Sequence, residues 1–173
     1  TAASGIGKPR LMSVAGQYRT GPFFAGVGYE KHDNFGNVNS SDTSMNVSVG
    51  FTFFGALKVS ALYMQVEYKP DVVPKVEADG FALYGDWRIS GPHSLYLQWA
   101  SRSDADVGGV TQTATGTDVL GFAYGYSFSK RTQGYVAYNE MKNDTNINFS
   151  QGTTASTLGG KQKVIGLGLR HSF

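Results

Sequence analysis

The sequence predicts an all-β chain, an antiparallel up-and-down transmembrane β-barrel, and three observations predict it. Apolar and polar side chains alternate with a period of two through most of the chain, as in strands whose two faces meet different surroundings. Short Gly- or Pro-bearing or polar turns alternate with longer polar stretches. Aromatic residues gather towards both ends of the alternating segments, as at the two interfaces of a bilayer.

The alternation places about nine strands, at 10–18, 22–31, 44–53, 57–68, 79–89, 93–102, 117–128, 132–142 and 161–173. The first runs into the turn "RTGP" (19–22). In "FFAGVGYE", Phe23, Ala25, Val27 and Tyr29 oppose Phe24, Gly26, Gly28 and Glu30. In "MNVSVGFTF", Met45, Val47, Val49, Phe51 and Phe53 oppose Asn46, Ser48, Gly50 and Thr52, and "FGA" (54–56) closes the turn. The strand at 57–68 leaves open which parity faces outward, as does 132–142, because a bulge shifts either one. "FALYGDWRI" sets Phe81, Leu83, Trp87 and Ile89 against Ala82, Tyr84, Asp86 and Arg88, and "SGPH" (90–93) follows. "LYLQWASR" sets Leu95, Leu97 and Trp99 against Tyr96, Gln98, Ala100 and Arg102. "VLGFAYGYSFS" is the clearest case: Leu120, Phe122, Tyr124, Tyr126 and Phe128 alternate with Val119, Gly121, Ala123, Gly125 and Ser127 before "SKRT" (129–132). The last strand, "KVIGLGLRHSF", carries Ile165, Leu167, Leu169, His171 and Phe173 on one face.

Between the short turns lie long polar stretches at 32–43, 69–78, 103–116 and 143–160. Phe23, Phe53, Trp87, Phe128 and Phe173 fall at the short-turn ends, and Tyr29 and Trp99 near the long-loop ends. Short turns on one side and long loops on the other are the pattern of outer-membrane barrels. A soluble sandwich or ligand-binding barrel would bury the apolar face instead. That face holds too much Phe, Tyr and Trp, and the other too much Gly, for a small core to pack.

Composition agrees. The 173 residues form one domain with no linker, and they include 23 Gly, 10 Tyr and 11 Phe but no Cys. No run of about 18 apolar residues is present, so a transmembrane helix is excluded, which leaves barrel strands untouched. Without Cys there is no disulfide framework and no thiol chemistry. The formal charge of +2 is too small to point to nucleic acid. No secretion signal pattern is visible within the chain.

The strand count does not close. With Phe173 at the short-turn side, nine strands put Thr1 outside, whereas bacterial single-chain barrels have even numbers. An open sheet also leaves edges unpaired in hydrocarbon, where each unsatisfied group costs several kcal/mol. The expectation is therefore part of a larger barrel, with further strands before "TAASGIGKPR".

Particular residues carry a family resemblance. "TDVLGFAYGYSFSKRTQGYVAYNEMKND", then a long loop and "VIGLGLRHSF", closely resembles the last three strands of the general diffusion porins of Gram-negative outer membranes. "SVAGQYRTGPFFAGVGYEKHDN" and "VGFTFFGALKVSALYMQVEY" are similar to mid-barrel hairpins of that family. The resemblance implies the C-terminal half of a sixteen-stranded, homotrimeric porin, with the constriction loop outside this stretch. It implies passive diffusion of ions and small hydrophilic solutes, and contact with outer-membrane lipids and lipopolysaccharide. It also implies that Phe173 is read by the barrel-insertion machinery.

By parity, the ionisable residues of the inner wall are Glu30, Asp86, Arg88, Arg102 and Arg170, with Arg19 near a turn, and Tyr84 and Tyr96 beside them. More arginines than carboxylates make this wall net positive, and charges on a pore wall set ion preference. Arg170 lies near the short-turn end, in the vestibule. Other motifs carry little: "GLG" and "SGIGK" lack the strand–loop–helix setting of a phosphate cradle. His32, His93 and His171 match no metal spacing, so no cofactor or metal is expected. Asp104 and Asp106 sit in a loop where weak Ca²⁺ binding competes with simple solvation. Asn148-Phe149-Ser150 fits a glycosylation sequon that a bacterial outer-membrane loop would rarely use. The alternative to a channel is a smaller outer-membrane barrel with a protease, phospholipase or adhesive role. His32-Asp33 is the one feature that favours an enzyme, and the Gly-rich inner faces speak against a plugged interior.

Overall fold

The computed structural model describes residues 8–35, 39–152 and 155–173. Residues 1–7, where the sequence places Thr1 outside and "SGIGK" begins, lie outside the described residues. Among the described residues, eleven strands form one sheet. They are β1 (Arg10–Thr20), β2 (Phe23–Asp33), β3 (Ser41–Phe53), β4 (Leu57–Lys69), β5 (Val76–Ser90), β6 (His93–Arg102), β7 (Ala105–Val107), β8 (Val110–Gln112), β9 (Thr117–Ser127), β10 (Thr132–Asn143) and β11 (Lys161–His171). The nine long strands pair antiparallel in chain order, β1 to β6 and then β9 to β11, so the sheet is an up-and-down meander. β1 and β11 are its two edges, which makes it an open arc of a barrel wall.

All nine expected strands are present, and most extend further than the apolar alternation does. β2 runs on to Asp33, β3 begins at Ser41 and β5 at Val76. Backbone pairing needs no apolar side chain, so the ladder continues into Lys31, Asp33, Asp42 and Glu77 above the greasy band. β7 and β8 lie inside the stretch 103–116. They form a small hairpin turned by Gly108 and Gly109, both at positive φ, and β7 pairs with the start of β5. Two consecutive left-handed residues define the tight hairpin turn whose twist suits adjoining strands. The turns Gly21-Pro22 and Gly91-Pro92 use a second solution, with a positive-φ Gly followed by a residue whose ring fixes φ.

Register fixes every face. Phe51 pairs with Val59 and Val49 with Ala61, so the odd residues of β4 share the apolar side. Phe122 pairs with Tyr138 and Val136 with Leu167, which puts the even residues of β10 on that side. The two parities left open by the sequence are thereby settled. Met45 to Phe53 advances about 27 Å along β3, the order of the apolar band of an outer-membrane barrel.

No compact core lies behind this face. Ala78, Ala82, Ala105 and Met141 are the buried hydrophobic residues among those described, and three of them lie on the opposite, concave side. Leu167 is 83% exposed, Leu169 68% and Phe122 42%. An apolar surface this continuous is far beyond what a soluble monomer carries, so its solvent is lipid. Phe51–Phe53, Tyr126–Phe128 and Phe81–Trp99 ring contacts at 4.8, 5.1 and 5.9 Å build aromatic rows near its two borders. Beyond the long-loop row come ion pairs: Lys31–Asp33 at 3.0 Å, Glu67–Lys69 at 2.6 Å and Glu140–Lys161 at 2.6 Å.

Phe122 sits mid-strand on the lipid side. Phe122→Arg is expected to lower folding stability in lipid vesicles by about 2–4 kcal/mol. Its inner-face neighbour Ala123→Ser should change little. Denaturant titration of vesicle-inserted protein checks both.

Candidate pore wall

The concave face takes the Gly-rich or polar parity of most strands, with an apolar patch of Leu62, Met64, Val66, Val119 and Met141 towards the long-loop end, and glycine shapes it. Gly26, Gly28, Gly50, Gly80, Gly121, Gly125, Gly166 and Gly168 all fall on it by register. Where a sheet curls inward, side chains converge, and a missing Cβ lets a neighbour lie flat. A Cβ on Gly121 would stand 2.5 Å from Cγ of Gln98, and one on Gly28 2.9 Å from Nδ2 of Asn46. A Cβ on Gly168 would collide with the ring of Tyr135, which lies across it. Long polar side chains are thus laid along the wall instead of filling the space in front of it.

The expected wall residues all lie on this face. Tyr84, Asp86 and Tyr96 line a hollow of about 400 Å³ together with Lys58, Ser60, Gln98 and Asn139. Arg19 stacks on the Phe24 ring at 4.4 Å, close to the Gly21-Pro22 turn. Arg88 stands at the short-turn end, where its Nη2 donates to the Gly55 carbonyl of the adjacent turn at 3.4 Å. Arg170 also lies there, in a recess with Lys130, Arg131 and Gln133. Phe173 follows β11 on that side, its ring 4.9 Å from that of His171, while the Ser172 N–H donates to the Arg131 carbonyl at 2.9 Å.

At the long-loop end, Nε2 of His32 lies 2.7 Å from the Glu30 carboxylate, which accepts when that ring nitrogen carries a proton, and both line a second hollow with Asp42, Tyr68 and Arg102. His32 is on the concave face, whereas Asp33 is on the other and pairs with Lys31. Adjacent strand residues diverge, so His32-Asp33 is no dyad. Arg102 donates from Nη1 to the Thr115 carbonyl at 2.8 Å and its guanidinium lies 4.9 Å from the Phe149 ring. Asp104 Oδ1 accepts from the Thr115 N–H at 2.7 Å and Asp106 Oδ1 from the Gly109 N–H at 2.7 Å. Both carboxylates therefore serve as turn acceptors. Among the described residues no group of three or more His, Cys, Asp or Glu side chains is arranged to hold a metal. Outside the strands, Lys75 reaches Glu77 at 2.7 Å and Glu67 at 3.3 Å, and these carboxylates hold its ammonium above the usual lysine range.

The wall gains Lys58 and Asp42, which the sequence did not supply. Lys58 lies directly opposite Asp86 across the β4–β5 ladder. Finding it required the register of β4. Asp42 lay in a stretch read as loop. With them, Arg19, Lys58, Arg88, Arg102 and Arg170 face Glu30, Asp42 and Asp86, so the excess of positive charge persists. It is also uneven along the wall: Arg19, Lys58, Arg88 and Arg170 lie towards the short turns with Asp86 among them, and Glu30 and Asp42 lie near the long loops with Arg102.

The model of the Gram-negative porin family matches residues 1–146. The chain belongs to that family. It is an outer-membrane porin chain, and its antiparallel β-strands are strands of the barrel wall. Among solved structures, it is similar to an anion-selective porin from Comamonas acidovorans, with a TM-score of 0.81 and 22% identity over 95% of this chain and 49% of that one. Outer-membrane expressed OmpT of Vibrio cholerae is also similar, with a TM-score of 0.75 and 12% identity over 95% and 56% of the two chains. A trimer form of in-vitro folded OmpT matches with a TM-score of 0.70 and 12% identity over 94% and 56%. At these identities the likeness shows a shared fold. The porin chain spans about half the length of these structures. No curated protein sequence matches it significantly.

Two substitutions probe the wall. Gly168→Val should push Tyr135 off the wall towards the channel side, costing about 1–3 kcal/mol through overpacking and lowering single-channel conductance. Asn143 is 2% exposed and joins Thr117 to the loop that follows β10. Asn143→Ala should cost about 1–3 kcal/mol locally, read as faster hydrogen exchange at 113–117 and 144–152 while the strand cores stay protected.

Proposed function

We propose that the assembled protein is a passive-diffusion channel for ions and small hydrophilic solutes, and not an enzyme. One observation carries the reading: a concave face rich in Gly and polar side chains, with open hollows, backs directly onto a convex face of exposed Phe, Leu and Val. Water on one side and lipid on the other is the arrangement of a filled pore. The sheet supplies one arc of that pore. Its open edges at β1 and β11, and a solved relative about twice as long, support closure with further strands into a sixteen-stranded barrel.

Arg19, Glu30, Tyr84, Asp86, Arg88, Tyr96, Arg102 and Arg170 are then pore-lining residues, joined by Lys58 and Asp42. Their net positive charge supports a preference for anions, a property named for the Comamonas acidovorans porin. A homotrimer is supported by the trimer form of the OmpT relative. The ion-paired belt above the aromatic row suits lipopolysaccharide headgroups, and the terminal Phe173 suits recognition by the insertion machinery.

Planar-bilayer recording of the intact porin tests this. Large stepwise openings are expected, with a zero-current potential in a KCl gradient displaced towards the anion side. The double variant R88Q/R170Q should move that potential towards the cation side, with the largest change at low salt, where screening lengths reach about 30 Å. A silent bilayer refutes the channel.

A further inference from the structure

We propose that residues 144–152 form an internal arm that narrows the pore, and that Phe149 within it sets how much of the Arg102 charge a passing ion meets. This rests on the channel reading and deepens it.

The arm leaves β10 at Asn143 and first runs beside the preceding long loop. The Asp144 N–H donates to the Gly116 carbonyl at 3.0 Å, and the Asn146 N–H to the Ala114 carbonyl at 2.9 Å. It then bends to the concave side. The Asn143 side-chain amide donates to the Phe149 carbonyl at 2.8 Å, which fixes the bend. Phe149 comes to rest against Arg102 and closes one end of an apolar hollow of about 310 Å³ that includes Met64, Val119 and Met141. Further on, the Gln151 N–H donates to Oε1 of Gln162 at 2.5 Å and its side-chain amide to Oδ1 of Asn139. Arg102, Asn139 and Gln162 all belong to the inner register of their strands. The arm therefore crosses the channel side of the wall from β6 to β11, three strand spacings or about 14 Å.

Two consequences follow from this path. The arm occupies cross-section that a loop projecting outward would leave free. The Phe149 ring also covers one face of the guanidinium, so the charge is partly shielded from the aqueous path while its hydrogen bond to Thr115 holds it in place.

The test compares the intact porin with F149A and with the double variant R102Q/F149A in planar bilayers at low salt. F149A is expected to conduct more and to shift its zero-current potential in a KCl gradient towards the anion side. The double variant should keep the higher conductance and lose the shift. F149A with the wild-type conductance and potential overturns the proposal, while a silent wild type overturns the channel reading itself. A second arm guards against misfolding. This chain has no Cys, so N139C/Q151C can be bridged by a short bis-thiol reagent, with mass spectrometry to show the link. A bridge that forms in the folded protein and leaves conductance at the wild-type level supports the seated arm. Failure to bridge, or a bridged channel with reduced conductance, overturns it.

Discussion

In hydrocarbon no water is present to accept a stray backbone hydrogen bond, and this one requirement organises the whole chain. Each N–H and C=O crossing the lipid must find its partner in a neighbouring strand. The meander satisfies it with the shortest connections available, two- to four-residue turns such as Gly21-Pro22 and Gly91-Pro92. Because the ladder does the holding, the side chains are released from the duty of building a core. That is why so few hydrophobic residues are buried and why Leu167 and Leu169 can stand in the open.

Freed from packing, the two parities specialise by solvent. The convex side is apolar between its aromatic rows and ion-paired above them. The concave side meets the opposite demand, since it curls around water and its side chains converge. Glycine answers the geometry by letting Gln98, Asn46 and Tyr135 lie along the wall. Charge is then distributed by height. Near the short turns the cations Arg19, Lys58, Arg88 and Arg170 outnumber Asp86, and near the loops Glu30 and Asp42 accompany Arg102.

The loops add what the strands cannot. The β7–β8 hairpin extends the wall above the membrane by pairing with β5. The chain after β10 does something different, binding first to its neighbouring loop and then to the inner faces of β10 and β11. A periodic wall gives a uniform tube, and only an irregular segment laid against it can make one level of the tube unlike another.

The sequence by itself determined the strands, the turns and the lipid face. The period-two alternation and Gly-Pro turns are local signals, and a barrel strand makes them openly because its greasy parity never mixes with polar residues in a core. Strand ends were less legible, since Asp33 and Glu77 stay in the ladder without an apolar partner. "VGGV" at 107–110 was a readable hairpin signal masked by the polar loop around it. Tertiary structure alone decided the facing of β4 and β10, and with it the place of Lys58 opposite Asp86. It also separated His32 from Asp33 and carried Phe149 to Arg102, 47 residues earlier in the chain. The physical reason is common to all of these. Alternation is written along one strand, whereas facing depends on the register of its neighbours, and a loop's resting place depends on surfaces that only the folded sheet creates.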